Sequence, residues 1–159
     1  MNAFNRMMMC LGITFVATTG VIADTATQSG LTITPSKMKW KPSARVAGLE
    51  NLDLIGSGAG NQPGPYPYRV KLPANFKVQA HSHPDERQYT IISGTWYIGF
   101  GEKYDPAGMQ ALPPGSFYVE PVNVPHYVAT KDEPVVLQVT GTGPTAVNYV
   151  DPAHAPPKK

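Results

Sequence analysis

The most informative chemical pattern in this 159-residue chain involves three of its four histidines. His81 and His83 are one residue apart, so in a β-strand their side chains would point to the same face and could converge on one ion. His126 follows Pro121 and Pro125, where a turn can aim its ring. A solvated polar strand face, or a single satisfied buried histidine, is also compatible with this spacing alone.

Gln88 is the neighbour best placed to join this set. It follows a turn signal at Pro84-Asp85, and a hairpin there would return its side chain beside His83. Asp85 and Glu86 fall earlier, inside the predicted turn, where exposure to solvent is expected.

Three further polar residues are candidates for contacts with a ligand. Strict alternation along a strand places Lys77 and Gln79 on the face of His81, where they could meet an anionic or hydroxylated molecule. Arg69 lies in the preceding strand run and could bind a carboxylate through its planar fork. A solvated polar face accounts equally well for Lys77 and Gln79.

The elements that would position these residues are short strands. The chain contains 15 Gly and 17 Pro, which favour turns and break helices. About eight β-type runs recur at intervals of roughly ten residues, and no window shows a sustained helical period. The sequence therefore predicts an all-β, antiparallel sandwich or barrel with little helix. The predicted runs cover residues 68–72, 76–83, 89–92, 95–100, 117–120, 127–130, 135–140 and 147–150. Residues 39–42 are interpreted as an edge segment, residues 51–67 as a turn-rich connector and Ser93-Gly94 as a two-residue turn.

Residues 1–23 have the pattern of a secretory signal peptide, with Arg6 before an apolar stretch and cleavage expected after Ala23. A membrane anchor is the alternative, but the stretch is short and diluted by threonines. Cleavage would remove Cys10, the only cysteine, so any metal would be held by histidine, carboxylate or amide oxygen. We therefore expect a secreted or periplasmic protein without a membrane association after cleavage.

Charge and length limit the remaining possibilities. The formal charge of +2 marks no basic face, so nucleic acid is not an expected partner. Residues 24–36 read as a loose lead-in, residues 37–153 as one domain, and residues 154–159 as a Pro-rich tail. His154 lies in that tail and is not a candidate ligand.

The histidine spacing and its surroundings resemble the cupin superfamily, a small jelly-roll barrel or double-stranded β-helix. The first cupin motif is represented by His81-Ser82-His83 with Gly94 near its closing position, and the second by Gly115, Pro121 and His126. The resemblance covers roughly residues 37–153. It implies a cupin fold and a mononuclear metal site.

The chain departs from the cupin pattern at four places. Asn75 and Asn123 stand at positions of glycine, which asparagine can replace because it tolerates left-handed backbone. Thr130 replaces the closing Asn. The family's acidic ligand falls on Arg87 or Gln88, and an arginine cannot bind a cation. Arg87 is therefore interpreted as a rim or structural charge.

The resemblance therefore implies a metal site of His81, His83, Gln88 and His126, with Glu86 as the reserve ligand. This set is similar to that of the cupins that convert unsaturated uronates, in the ligand pattern only. It would hold one divalent ion, and nitrogen and oxygen ligands suit Zn, Mn, Fe, Ni or Cu.

Such a site indicates a metal-dependent enzyme acting on a small polar carbonyl, sugar or acid compound by Lewis-acid activation. Isomerase, cyclase, lyase and oxygenase chemistry all remain open. The alternatives are a non-catalytic module that binds or senses a small molecule or metal, and a metal-free structural barrel. A homodimer is a further expectation, because jelly-roll cupins often pair through edge strands.

Overall fold

A computed structural model of the chain describes residues 30–55 and 62–156. The predicted signal peptide lies outside these residues. The chain divides between Thr32 and Ile33, and the elements below belong to the unit that begins at Ile33. No helix in the described part is long and apolar enough to cross a membrane.

Strands dominate the described residues, which contain three single-turn 3₁₀ segments (Pro35–Lys37, Pro106–Gly108 and Pro152–His154) and no α-helix. This confirms the all-β prediction. The strands are β1 (Lys41–Pro42), β2 (Glu50–Asp53), β3 (Gly64–Leu72), β4 (Lys77–Ser82), β5 (Arg87–Ser93), β6 (Trp96–Phe100), β7 (Gln110–Leu112), β8 (Phe117–Glu120), β9 (His126–Ala129), β10 (Val135–Gly143) and β11 (Asn148–Tyr149).

The strands form two antiparallel sheets. In the first, the order is β1-β2-β3-β10-β5-β8, and in the second it is β11-β4-β9-β6-β7. Consecutive strands therefore repeatedly fall in different sheets, as β3 and β4 do. The predicted edge segment at residues 39–42 contains β1, which is an outer strand of the first sheet.

The core lies between the two sheets and follows from alternation along the strands. In β5, Arg87, Tyr89 and Ile91 are buried while Gln88 and Thr90 are exposed. Apolar side chains on the inner face gain stability in proportion to the area they remove from water. The most deeply buried of these side chains are Leu72, Ile91, Val135, Leu137 and Val139.

Turn positions bear out the expected role of asparagine. Asn75 and Asn123 have φ values of 55° and 57°, in the left-handed region that glycine occupies in the motif. Gly94, in the predicted Ser93-Gly94 turn, has φ 72°, and a Cβ there would lie 2.3 Å from the Pro134 carbonyl oxygen. The left-handed backbone at these three residues allows the chain to reverse direction within short connections.

Thr130 shows how the other departure from the motif is accommodated. Its hydroxyl donates to the Pro73 carbonyl at 2.6 Å and accepts from the Phe76 backbone N–H at 2.9 Å. The side chain thus ties the end of β9 to the turn before β4.

Candidate metal centre

Two antiparallel neighbours, β4 and β9, bring the three histidines together. His81 in β4 is the direct partner of His126, the first residue of β9, and His83 follows β4 by one residue. The ring centroids are 4.4 Å apart for His81 and His126, 5.0 Å for His81 and His83, and 5.1 Å for His83 and His126. One nitrogen from each ring lies within 4.8 Å of the others, and all three residues are buried.

Each imidazole is oriented by a backbone carbonyl that contacts its Nδ1. A carbonyl oxygen only accepts hydrogen bonds, so each Nδ1 must carry the proton and each Nε2 must offer a lone pair. Metal-binding histidines are oriented by the same kind of contact. For His81, His83 and His126, the acceptors are the carbonyls of Gln79 at 2.8 Å, Ala146 at 2.6 Å and Val124 at 3.0 Å.

Glu120, the last residue of β8, adds a carboxylate that the sequence analysis missed. Its Oε1 lies 3.2 Å from the Nε2 of His126, and its Oε2 lies 3.5 Å from the Nε2 of His83. Glu120 Oε2 and His126 Nε2 are buried and have no hydrogen-bond partner. The unpartnered atoms of His126 and Glu120 and the nitrogen and oxygen donors around them fit a divalent ion.

A signal for Glu120 was present in the sequence. It is the only acidic residue in the aromatic and apolar run Phe117–Glu120, and a charged residue ending such a strand on its inner face is rarely buried unless it has a partner. The partner strand could not be identified from spacing, because β8 pairs with β5 in the sheet opposite the histidine strands.

Burial sets the protonation of the four groups. Loss of water lowers the pKa of His81 to about 3 and that of His126 to about 4, and it moves the pKa of His83 lower still. The same desolvation raises the pKa of Glu120 to about 7. Neutral imidazoles are the form that binds metal ions, so the protein already holds these rings in the required state.

Arg87 stands at the edge of this cluster. The sequence suggested a rim or structural charge, but the residue is only 4% exposed and faces inward from β5. Its Nη1 donates to the Nε2 of His83 at 3.1 Å, and its Nη2 donates to the Thr145 hydroxyl and, at 3.3 Å, to the Ala146 carbonyl. The guanidinium therefore uses the same His83 lone pair that a metal ion would need.

Asp85 compensates the buried guanidinium. We expected this residue to be exposed in a turn, and the structure buries it. One carboxylate oxygen lies 3.7 Å from the Nε of Arg87, and the hydroxyls of Tyr66 and Thr145 donate to the group. Buried charges need such partners.

The predicted fourth ligand, Gln88, does not lie at the centre. It is exposed on the outer face of β5 because side chains alternate, and the inward position belongs to Arg87. Glu86, the reserve ligand, is also exposed, and both residues line a surface depression beside Pro84 and Gly141. The structure corrects the expectation for both residues, and the carboxylate that lies beside the histidines is that of Glu120.

The side chains of Lys77 and Gln79 also lie away from the cluster. Between the paired positions Val78↔Val128 and His81↔His126, β4 advances three residues while β9 advances two. The extra residue is a β-bulge, which reverses the alternation. Lys77 and Gln79 therefore do not share the face of His81.

Arg69 is directed away from the barrel interior as well. It alternates with the buried neighbours Tyr68 and Val70 on β3. Its Nε donates to the side chain of Gln138 at 3.4 Å, and its Nη1 contacts the sulfur of Met38 at 3.4 Å. None of the three predicted substrate contacts is at the centre.

A cavity of about 80 Å³ opens beside the histidines, inside the barrel. Its polar wall contains His81, His83, Arg87, Glu120, Tyr89 and Arg45. Its apolar wall includes Val78, Val128 and Leu137. The candidate centre thus borders a small cavity that is lined by both polar and apolar side chains.

Comparison with known proteins identifies the fold through solved structures. No protein-family model matches the sequence, and no curated protein matches it. The polyketide cyclase RemF from Streptomyces resistomycificus superposes with a TM-score of 0.61 at 15% identity, covering 77% of this chain and 87% of that one. An RmlC-like cupin from Shewanella frigidimarina gives 0.55 at 12% identity, covering 73% and 93%.

A third similar structure is the DMSP lyase DddQ from Ruegeria pomeroyi, with a TM-score of 0.55 at 22% identity, covering 73% of this chain and 64% of that one. At these identities the likeness concerns the fold. The two antiparallel sheets, the paired motifs around the histidines and these superpositions lead to one conclusion: the chain has the cupin fold.

Proposed function

We propose that this protein is a mononuclear-metal enzyme that acts on a small polar carbonyl, sugar or acid compound. The observation that carries the proposal is the convergence of three buried histidines, two of which have their Nε2 beside the buried Glu120 carboxylate. His81, His83, His126 and Glu120 would hold the ion. When bound, a divalent ion in such a set supplies Lewis-acid polarisation of an oxygen atom.

The carboxylate changes the expected chemistry. Three imidazoles and one carboxylate leave a divalent ion with a net charge of +1, whereas the predicted set with Gln88 would have left +2. The ion would therefore be a weaker Lewis acid than we expected from the sequence. Histidine and carboxylate ligands suit Zn, Mn, Fe, Ni or Cu, so isomerase, cyclase, lyase and oxygenase reactions all remain within the proposal.

The residues around the ion have separable tasks in this proposal. The apolar wall of the cavity excludes water, which strengthens electrostatic interactions inside it. Arg87 and the Tyr89 hydroxyl, 3.5 Å from Arg87 Nη1, provide donors to orient a polar ligand group. Similar folds in a polyketide cyclase and a DMSP lyase support an enzymatic role.

A second candidate is a non-catalytic module that binds or senses a small molecule. Glu120 is the only carboxylate among the described residues that line the cavity. If it binds the ion, it leaves no second carboxylate there for proton transfer. That observation favours binding without turnover.

The metal content of the native protein tests the site. We would purify the untagged protein and measure bound metals by mass spectrometry, for wild type and for His81→Ala, His126→Ala and His154→Ala. We expect about one divalent ion per chain in wild type and in His154→Ala, whose imidazole is in the exposed tail, and none in the other two variants. A folded wild type that stays metal-free after soaking would contradict the proposal.

Turnover separates the enzyme from the binding module. The metal-loaded protein would be screened with small acids, sugars and carbonyl compounds for product and for thermal stabilisation. Product formation that is lost in His81→Ala supports the enzyme. Stabilisation without product across compounds that bind supports the sensor.

We further propose that the protein is exported and that residues 1–23 are removed. The support is the signal-peptide pattern ending at Ala23. The intact mass of the protein recovered from its native cells should correspond to a chain that begins at Asp24. Recovery of the full-length chain from the cytoplasm would contradict the proposal.

A further inference from the structure

Arg87 and a bound metal ion would compete for one lone pair. Without an ion, Arg87 Nη1 donates to the Nε2 of His83 at 3.1 Å. The Nδ1 of His83 is committed to the Ala146 carbonyl at 2.6 Å, so Nε2 is the only nitrogen that this ring can offer. Metal binding must therefore release the Nη1 donor from His83.

The Nη1 group of Arg87, once released, has few hydrogen-bond acceptors in the protein. Nη2 of Arg87 is already held by Thr145 and Ala146, which keeps the guanidinium beside the cluster. The Tyr89 hydroxyl, 3.5 Å from Nη1, is a weak partner at that distance. A buried guanidinium N–H facing a cavity requires an acceptor, and a charged acceptor satisfies it best.

Charge balance points to the same kind of ligand. Arg87 and Glu120 line the cavity and are 4% and 2% exposed, and Asp85, 7% exposed, lies beside Arg87. Asp85 compensates Arg87, and Glu120 compensates only half of a divalent ion. A net positive charge therefore remains around the ion, and Arg45 in the cavity lining adds to it, whereas excess charge in a buried space is costly.

We propose that the metal-loaded site takes a small monocarboxylic acid whose carboxylate is bound by Arg87. This inference rests on the proposed metal site and names the class of its ligand. The negative charge of the acid lowers the excess of positive charge, and the carboxylate supplies the acceptor for Nη1. The carbon part of the acid lies against Val78, Val128 and Leu137.

The cavity limits the size of the acid. Its volume of about 80 Å³ is well below that of a roughly 150 Å³ cavity that holds a benzene ring. The part of the acid that lies inside the barrel therefore has only a few carbon atoms.

A pair of probes with the same shape and different charge tests the inference. We would load the full-length protein with zinc, confirm one ion per chain by mass spectrometry, and titrate propionate and propionamide by calorimetry. We expect propionate to bind at least about tenfold more tightly than propionamide, because a charge-assisted hydrogen bond is worth about 1.5–3 kcal/mol. After zinc is removed with a chelator, the preference should disappear, since Arg87 then returns to His83.

Two variants identify the residue responsible. Arg87→Gln should keep its zinc and lose the preference for propionate, whereas Arg69→Gln, on the outer face of β3, should behave like wild type. Equal binding of the two probes to zinc-loaded wild type would overturn the inference. An unchanged preference in zinc-loaded Arg87→Gln would also overturn it.

The controls separate this inference from the proposed function. Wild type that binds no zinc contradicts the metal site itself. Should Arg87→Gln fail to fold, equal binding of propionate and propionamide to zinc-loaded wild type still overturns the inference.

Discussion

Glu120 enters the candidate centre from β8, whereas the histidines come from β4, the residue after it, and β9. The carboxylate is 2% exposed, and Tyr118 donates a hydrogen bond to its Oε1 at 3.1 Å. This tyrosine in turn accepts from the Trp96 indole at 2.9 Å. The carboxylate is thus oriented by a chain of aromatic donors, as ligands at metal sites commonly are.

Replacing Glu120 by Gln should weaken metal binding at least about tenfold while keeping the fold, because the amide retains the size and loses the charge. Gln88→Ala is the matched control, and its affinity should not change, since Gln88 faces solvent. Metal affinity measured by competition with a chelator checks both. A larger loss of metal affinity in Gln88→Ala than in Glu120→Gln would identify Gln88 as the ligand instead.

Asp85 offers a second test, because its negative charge lies 3.7 Å from Arg87 in the interior. Asp85→Asn leaves the buried guanidinium without its counter-ion and should lower the free energy of unfolding by about 3–5 kcal/mol. Glu86→Gln, an adjacent and exposed change, should have little effect. Urea denaturation measures both, and equal stabilities would show that the buried pair is not needed.

The turn between β8 and β9 depends on Asn123. Its φ is 57°, and its backbone N–H donates to the carbonyl of His83 at 2.8 Å, so the turn also supports the histidine cluster. Asn123→Gly should be nearly neutral, and Asn123→Ala should cost about 1 kcal/mol because alanine resists left-handed backbone. Thermal unfolding of the two variants checks this, and equal losses for Gly and Ala would contradict it.

Most strands could be predicted because their apolar residues alternate, and all eight predicted runs overlap an observed strand. Strands β2 and β7 were not predicted. Each has a single buried residue, Leu52 or Leu112, so neither shows the alternation of apolar and polar residues that indicates a strand. The connector predicted for residues 51–67 overlaps two strands at its ends, because β2 extends to Asp53 and β3 begins at Gly64.

The candidate site was predicted in part. The three histidines followed from local spacing and a family resemblance, and they converge as expected. The face of Lys77 and Gln79 could not be predicted, because the bulge in β4 has no marker such as glycine in the sequence. Glu120 could not be paired with the histidines, because the approach of two sheets is a tertiary property.

Acid should destabilise the metal-free protein. The pKa values of His81 and His126 fall from 6.5 to about 3 and about 4 on folding, and that of His83 falls as well. Below about pH 6.5 the unfolded chain takes up protons that the folded protein refuses, so the free energy of unfolding decreases as pH falls.

Glu120 acts in the opposite direction. Its pKa rises from 4.5 to about 7 on folding, so it favours the folded state increasingly as pH falls from 7 to 4.5. The effect of the three histidines on stability is larger than that of one carboxylate. The free energy of unfolding of the metal-free protein should therefore decrease by on the order of 2–3 kcal/mol per pH unit from pH 6 to 5. Urea denaturation with a chelator across pH 4.5–8 measures this loss, and a gain in stability on acidification would contradict it.

The position of Glu120 has a mechanical consequence for the barrel. β8 belongs to the six-stranded sheet, while the paired strands β4 and β9 belong to the five-stranded sheet. An ion shared by Glu120 and the histidines would therefore clamp the two sheets together from within. Opening motions that separate the sheets would have to break coordination first, so loading the ion should slow amide hydrogen exchange along β8 and β9 together.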